Sequence, residues 1–306
     1  MSRISVVIVS YKVPELLLAC LHAIRKSVTE GPIEVIVVDN NSGDGSMEAV
    51  RNTFPEVNVI ENRYNAGFSR ANNQGIQLSS GEYIFLLNPD TEVEPEAIGL
   101  LARYLDAHPQ TAVLAPKLLN TDGSLQISAW QEPGLAHLVS ETFFLHKLIS
   151  GGNYPKTAFR SIFEPASASG AALFFRKSLC NQIGMLDENL FWMEDVDFCV
   201  RARSIGSLVY LPHARVKHHI GQSQKKNYNL AICNQLLSKL KYLHKRRSRF
   251  IWMLAALNCL VFICTRIIAF SMASPFGTIY RLKAKAYLYS LGRFCRYACW
   301  GDMRLT

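Results

Sequence analysis

Tyr83-Ile84-Phe85-Leu86-Leu87-Asn88-Pro89-Asp90-Thr91-Glu92 is the stretch on which the fold turns. Five apolar residues deliver the chain into a short acidic turn. Pro89 has no N–H and fixes its own φ, so it cannot continue a sheet ladder. A buried strand that stops at a carboxylate is characteristic of open α/β sheets, which bind ligands in the crevice beyond the carboxyl ends of their strands. Asp90 is therefore expected at that crevice. A single carboxylate next to the amide oxygen of Asn88 suits a hard cation, Mg²⁺ or Mn²⁺, which is usually held by one or two carboxylates together with substrate phosphates. Asn-Pro-Asp is also an ordinary turn, so the rest of the chain has to support this assignment.

Upstream, Ile4 to Val9 and Glu34 to Val38 are two more β-branched runs, ending at Ser10-Tyr11-Lys12 and Asp39-Asn40-Asn41-Ser42. A shorter strand is expected at Val57 to Ile60, with helices from Pro14 to Ile24, Met47 to Phe54, Ser69 to Leu78 and Pro95 to Ala107. Apolar strands alternating with helices predict a parallel sheet covered on both faces. Further on, strands are expected at Ala112 to Pro116 and Ser124 to Ser128 about an Asp122-Gly123 turn, and at Ala171 to Phe175 and Leu208 to Leu211. A helix should run from Lys177 to Ile183. The irregular, aromatic stretch 130–163 has the composition of a mobile lid.

Charge is divided along the chain. Nineteen of the 33 lysines and arginines follow Asp197, against one acid, Asp302. The preceding part has 14 basic and 23 acidic residues. Such a tail is suited to an anionic partner. It contains a helical segment, Tyr228 to Lys245, a basic cluster through Arg249 and the apolar run Phe250 to Cys264. That run is shorter than the ~20 residues that span a bilayer, and Arg266 interrupts its continuation. Interfacial insertion on anionic lipid is expected, with a spanning helix or a soluble packing or dimerisation domain as the alternatives, and the apolar run argues against nucleic acid. The eight cysteines show no Cys-x-x-Cys pair, which disfavours zinc and a disulfide framework and fits a reducing cytosol. The first residues lack the pattern of a signal peptide.

Several groups are candidates for chemistry. Asp39 can accept from a base or a ribose hydroxyl, or cap the next turn. Gly67 permits close approach of a ligand, and Ser69 begins a helix whose N-terminus favours an anion. Glu194-Asp195-Val196-Asp197 places three acids in one helical turn, where repulsion raises a pKa as a general base requires, or where acids simply complement a helix dipole. His218 or His219 can ligate a metal or steady a phosphate. There is no Gly-x-Gly-x-x-Gly after the first strand and no Gly-Lys-Ser/Thr loop, which disfavours NAD and P-loop chemistry.

In order, Val7-Ile8-Val9-Ser10-Tyr11, Val37-Val38-Asp39-Asn40-Asn41-Ser42, Asn65-Ala66-Gly67-Phe68 with Ala71-Asn72 and Gly75, Asn88-Pro89-Asp90, Ser169-Gly170-Ala171 and Glu194-Asp195-Val196-Asp197 resemble glycosyltransferase family 2, in particular its bacterial rhamnosyltransferase-like branch. The likeness covers residues 3 to 225. It implies a GT-A (Rossmann-like) domain, over residues 1–227; the charge and apolar composition of the tail make 228–306 a helical, membrane-associating region. It also implies inverting transfer of a sugar, rhamnose in this branch, from a nucleotide diphosphate to a hydroxyl of a saccharide acceptor in cell-surface polysaccharide assembly, and the basic, apolar tail makes a lipid-linked acceptor at the cytoplasmic face of the membrane the expectation. The donor site it implies is Ser10, Asp39, Asn65, Gly67, Asn72 and Asn88. Asp90 and His218 would hold the divalent cation and diphosphate, while Asp195, beside Glu194, becomes the catalytic base. The family's usual Asp-x-Asp is Asn88-Pro89-Asp90 here, one anionic ligand fewer. The Gln-x-x-Arg-Trp of processive synthases is missing, with only Arg201 near that place. Alternatives are a sugar-1-phosphate nucleotidyltransferase, which needs a Gly-rich loop that Ser10-Tyr11-Lys12 does not supply, and a non-catalytic membrane-bound sugar-binding protein.

Overall fold

The computed structural model describes residues 4–143, 154–219 and 228–300, except for the side chains of 228–231 and 298–300. The chain divides into two compact units. The first comprises residues 1–131, 154–188 and 194–223. Its elements are β1 (Ile4–Ser10), α1 (Pro14–Arg25), β2 (Ile33–Asp39), α2 (Ser46–Thr53), β3 (Asn58–Glu61), α3 (Phe68–Leu78), β4 (Tyr83–Leu87), β5 (Thr91–Val93), α4 (Ala97–Ala107), β6 (Thr111–Leu119) and β7 (Ala129–Trp130). After the insertion of α5 (Leu135–Thr142), which belongs to the second unit, come β8 (Ser167–Ala168), β9 (Ala172–Arg176), α6 (Ser178–Ile183), α7 (Glu194–Ala202) and β10 (Ser207–His218).

Eight strands form one sheet in the order β3-β2-β1-β4-β9-β6-β10-β5. The first four are parallel, as apolar strands alternating with helices predict. The sheet as a whole is mixed, because β9 lies antiparallel between β4 and β6, and β5 closes the far edge antiparallel to β10. Successive residues of a strand face opposite sides, and the core divides accordingly. Val6, Ile8 and Phe85 pack with Leu17 and Leu21 of α1 and with Ile98 of α4. Val7, Ile84 and Leu86 pack on the other side with Ile76 of α3 and Phe198 of α7. Helix α3 comes so close to β1 that a Cβ on Gly75 would lie 2.3 Å from Val7 Cγ1. That contact brings the start of α3 to the ends of β1 and β2.

Two strand expectations need correction. Residues 124–128 form no strand; Leu125 makes an isolated bridge to Leu119, and the short β7 begins only at Ala129. β10 extends through His218, well past Leu211, because after a register shift it continues beside β6 and gains β5 as a second neighbour.

The second unit comprises 132–153, 189–193 and 224–306. It contains α5, α8 (Tyr228–Arg246), α9 (Arg249–Ala273) and α10 (Thr278–Trp300). Within the stretch expected to be a lid, α5 and a single turn at Ala158–Arg160 are helical; residues 144–153 lie outside the described residues, as does the domain boundary drawn at 227. The apolar run is not cut at Arg266, and α9 continues through it to Ala273. The guanidinium is buried and donates to the carbonyls of Glu141 (3.1 Å) and Thr142 (3.0 Å), the last residues of α5. Carbonyls at a helix end are short of partners within their own helix, so one charge both caps α5 and fixes α9 beside it. Asn258 adds a bond to Thr142 Oγ1 at 2.9 Å. Burial pushes the Glu141 carboxyl up, but His137 and Lys239 outweigh it and bring the pKa to about 2. The contribution of this half-buried ion pair to stability is present above the ordinary Glu range and lost as pH falls through about 2.

Candidate active site

Parallel pairing puts the last residues of β1 and β2 side by side, and the register matches Ser10 with Asp39. Both are buried. Asp39 Oδ2 accepts from the Ser42 amide at 3.0 Å, so the turn after β2 holds the carboxylate in place. Asp39 Oδ1 and Ser10 Oγ have no hydrogen-bond partner among the described residues. Buried polar atoms are normally paired, so two adjacent unsatisfied groups at strand ends are positioned for a ligand. The loops leaving these strands contain Lys12 and Asn41 at φ 56° and 63°. Left-handed backbone at residues other than glycine costs of order 1–3 kcal/mol and clusters at ligand sites.

Asn40 organises the next segment. Its Oδ1 accepts from Asn62 Nδ2 (3.0 Å) and the Ala66 amide (3.3 Å), and its Nδ2 donates to the Gly67 carbonyl (3.2 Å). Asn65 Oδ1 accepts from the Gly67 amide at 3.0 Å. Gly67 itself sits at φ 82°, a conformation that side chains disfavour, and leads into α3. Asn72 is buried and turned into its own helix, donating to the Phe68 carbonyl at 3.0 Å.

At the end of β4, the Asn88 amide donates to the Ala171 carbonyl at 2.9 Å, while Asn88 Oδ1 is buried without a partner among the described residues. The preceding residue, Gly170, donates its amide to Asp195 Oδ2 at 2.9 Å. Two hydrogen bonds and one peptide unit thus connect the Asn88-Pro89-Asp90 turn to Asp195. A Cβ on Gly170 would stand 3.1 Å from Asp195 Cβ and 3.6 Å from Phe68 Cε1, so the start of α3 shares this neighbourhood. Burial raises the Asp195 carboxyl above the usual range, against the backbone amides of Gly170 and Val196 that favour its charged form.

The three neighbouring acids have different surroundings. Asp197 is fully buried and binds Arg201 at 2.7 Å, and Arg201 also donates to the carbonyls of Ile183, Gly184 and Met185. This pair fastens α7 to the turn after α6, which accounts for both residues structurally. Glu194 is buried at the first position of α7.

Asp90 Oδ1 faces His218 Nε2 at 3.2 Å. Two neighbouring ligands of an octahedral Mg²⁺, each ~2.1 Å from the ion, lie about 3.0 Å apart, so the pair fits a shared cation. Among the described residues no group of three or more His, Cys, Asp or Glu could hold a metal. The remaining ligands would have to come from a diphosphate and water. His219 is placed differently, with Nε2 on Glu92 at 2.6 Å and its amide on the Asp90 carbonyl at 2.8 Å. Asn40 and Gln126 are the residues that sequence reasoning did not single out. Asn40 lay within a quoted motif, whereas Gln126 carried no signal.

A model of glycosyl transferase family 2 matches residues 5–183. An N-acetylglucosaminyl-diphospho-decaprenol L-rhamnosyltransferase of Mycobacterium tuberculosis is 34% identical over 218 residues, covering 64% of this chain and 69% of that one. A low-salt glycan biosynthesis hexosyltransferase of Haloferax volcanii is 28% identical over 207 residues, covering 65% of this chain and 61% of its own. Among solved structures, the chain is similar to a Pyrobaculum calidifontis mannosyltransferase in complex with GDP-Man and Mn²⁺ (TM-score 0.58, 14% identity, 98% of this chain and 88% of that one). It is also similar to residues 1–349 of TarS from S. aureus (TM-score 0.53, 15% identity, 97% and 92%). These likenesses give the fold as α/β and GT-A-like.

Proposed function

The chain belongs to glycosyl transferase family 2 and is an inverting glycosyltransferase of the GT-A class with a nucleotide-sugar donor; we propose that it moves rhamnose from deoxythymidine-diphosphate rhamnose to a hydroxyl of a lipid-linked saccharide, in cell-surface polysaccharide assembly. Asp39 and Ser10 bind the nucleoside, with the Asn65–Gly67 turn and Asn88 completing the donor site. Asn72 acts indirectly by fixing the first turn of α3. Asp90 and His218 hold Mg²⁺ or Mn²⁺ against the diphosphate. When bound, that ion neutralises the charge that develops on the leaving group. Asp195 takes the acceptor hydroxyl's proton as the new bond forms, with Glu194 beside it at the head of α7. Inversion then needs no enzyme nucleophile.

The observation that carries this proposal is the short route from Asn88 through Ala171 and Gly170 to Asp195. It joins the turn assigned to the diphosphate with a desolvated carboxylate suited to a base. The test is a panel of nucleoside diphosphates and their sugars, with and without Mn²⁺. Deoxythymidine diphosphate should raise Tm more than uridine or guanosine diphosphate, and more with Mn²⁺. Only deoxythymidine-diphosphate rhamnose should turn over with a lipid-linked acceptor. A larger response to another nucleotide would remove the donor assignment.

The second unit supports work at an anionic membrane surface, the cytoplasmic face being the side where nucleotide sugars are found. The stretch Arg249–Phe276 is long and apolar enough to cross a bilayer. It exposes Phe250, Met253, Leu257, Ile268, Met272 and Phe276, while Asn258 and Arg266 are bound to α5. Basic residues Arg281, Lys283 and Lys285 lie on α10, whose packing partners include α9. A helix accompanied by charged helices fits the interface plane better than the hydrocarbon core. The full-length protein should sediment with vesicles containing phosphatidylglycerol and not with phosphatidylcholine alone. A Leu257→Glu, Ile268→Glu double variant should bind at least about tenfold more weakly. Undiminished binding by that variant, or a dimer in solution that buries this face, would contradict the placement.

A further inference from the structure

Gln126 is buried beside the Asp90–His218 pair, and its amide orientation follows from its neighbours. Asn120 Nδ2 donates to Ser124 Oγ at 2.8 Å and to the Leu125 carbonyl at 3.5 Å, leaving Asn120 Oδ1 as an acceptor. Gln126 Nε2 donates to that oxygen at 3.1 Å and to the His218 carbonyl at 3.4 Å. With both amide hydrogens so directed, Gln126 Oε1 is the atom that faces His218 Nδ1, 2.7 Å away. An oxygen there can only accept, so the imidazole carries its proton on Nδ1. In a neutral ring, Nε2 then points a lone pair at the Asp90 carboxylate, 3.2 Å off. Two electron-rich atoms at that distance repel each other unless positive charge lies between them.

We propose that Gln126 is a positioning residue for the cation that accompanies the donor diphosphate. It fixes the tautomer and rotation of His218 so that Nε2 is presented as a ligand together with Asp90. Partners of this kind behind a ligating histidine hold the ring and raise its basicity. The inference rests on the cation role given above to Asp90 and His218, and it adds a residue that touches neither substrate nor ion.

The test uses the full-length protein, with Mn²⁺ titrated in the presence of deoxythymidine diphosphate and free Mn²⁺ read by electron paramagnetic resonance. Gln126→Leu should weaken Mn²⁺ binding about 10–100-fold, with nucleotide affinity in the absence of cation unchanged. Gln126→Glu restores the acceptor for Nδ1 but sets its second oxygen against Asn120 Oδ1 and the His218 carbonyl, so it should recover part of the loss. A second readout needs no cation: long-range ¹H–¹⁵N spectra of the metal-free protein should show His218 protonated on Nδ1 in the wild type, and no longer held so in Gln126→Leu. A wild type that binds no Mn²⁺ overturns the cation role itself. A wild type that binds Mn²⁺ while Gln126→Leu binds it equally well, or an unchanged tautomer in that variant, overturns the role of Gln126 alone.

Discussion

Asp195→Asn is expected to slow sugar transfer by about 10²–10⁴-fold, the range that a positioned general base contributes, while the Tm rise given by nucleoside diphosphate stays as in the wild type. The substituted side chain keeps its size and an oxygen to accept from Gly170, so the path to Asn88 persists. The basic carboxylate is removed, and with it the bond from the Val196 amide at 2.8 Å, since the new amide nitrogen cannot accept. The raised pKa gives the variant a second signature. Ionised Asp195 is disfavoured by burial, so the folded state binds its proton more tightly than the unfolded chain does. Its stabilising contribution is therefore present below the unfolded pKa and lost as pH rises through the folded value. At neutral pH the wild type bears the cost of a desolvated charge, which the neutral amide of the variant does not carry. The Tm of Asp195→Asn relative to wild type should accordingly be highest near pH 7.5 and should decline as the pH falls. The wild type, conversely, should lose transfer rate on acidification at a higher pH than an ordinary carboxylate would dictate. A variant with an unchanged rate would remove Asp195 as the base.

The strand ends that the proposed donor side uses were legible in the sequence because composition announces them. Apolar runs stop at Ser10, Asp39 and Asn88, and the parallel pairing aligns the three strands. The placement of β9 was not legible. Ala172–Arg176 is apolar whichever way it runs, so composition identified a strand and left its direction and neighbours open. Its insertion beside β4 is nonetheless what brings Gly170 and Ala171 to the site. The acidic cluster shows a related limit. Spacing grouped Asp195 with Asp197, yet among the described residues one accepts from the backbone amides of Gly170 and Val196 and the other from Arg201, a difference made by long-range packing. Arg266 was misleading for a physical reason. A charge within an apolar run suggests an end to the run, but end carbonyls of another helix satisfy it equally well. Gln126 lies in no periodic pattern, and its relation to His218, 92 residues away, exists only once β10 has paired.

Asp90→Asn should cost about 10²–10³-fold in transfer, comparable to removing one group aimed at a developing charge, and should abolish the extra Tm rise that Mn²⁺ gives to the nucleotide complex. Asp90 is the only carboxylate of the pair it forms with His218, so the substitution leaves an imidazole and an amide oxygen where a doubly charged ion and a diphosphate must be balanced. The turn itself should survive, since the backbone carbonyl at position 90 still accepts from the His219 amide and Thr91 Oγ1 still donates to the Asn88 carbonyl at 2.7 Å. Glu92→Gln is the matched control. That carboxylate lies two residues on and bonds His219 instead of His218, so the loss of its charge should leave Mn²⁺ affinity within a few-fold of wild type. The two variants remove the same charge from the same segment, and long-range electrostatics would weaken both alike. A deficit confined to Asp90→Asn would require direct ligation; equal deficits would reduce Asp90 to part of a general negative field and return the cation to the diphosphate alone.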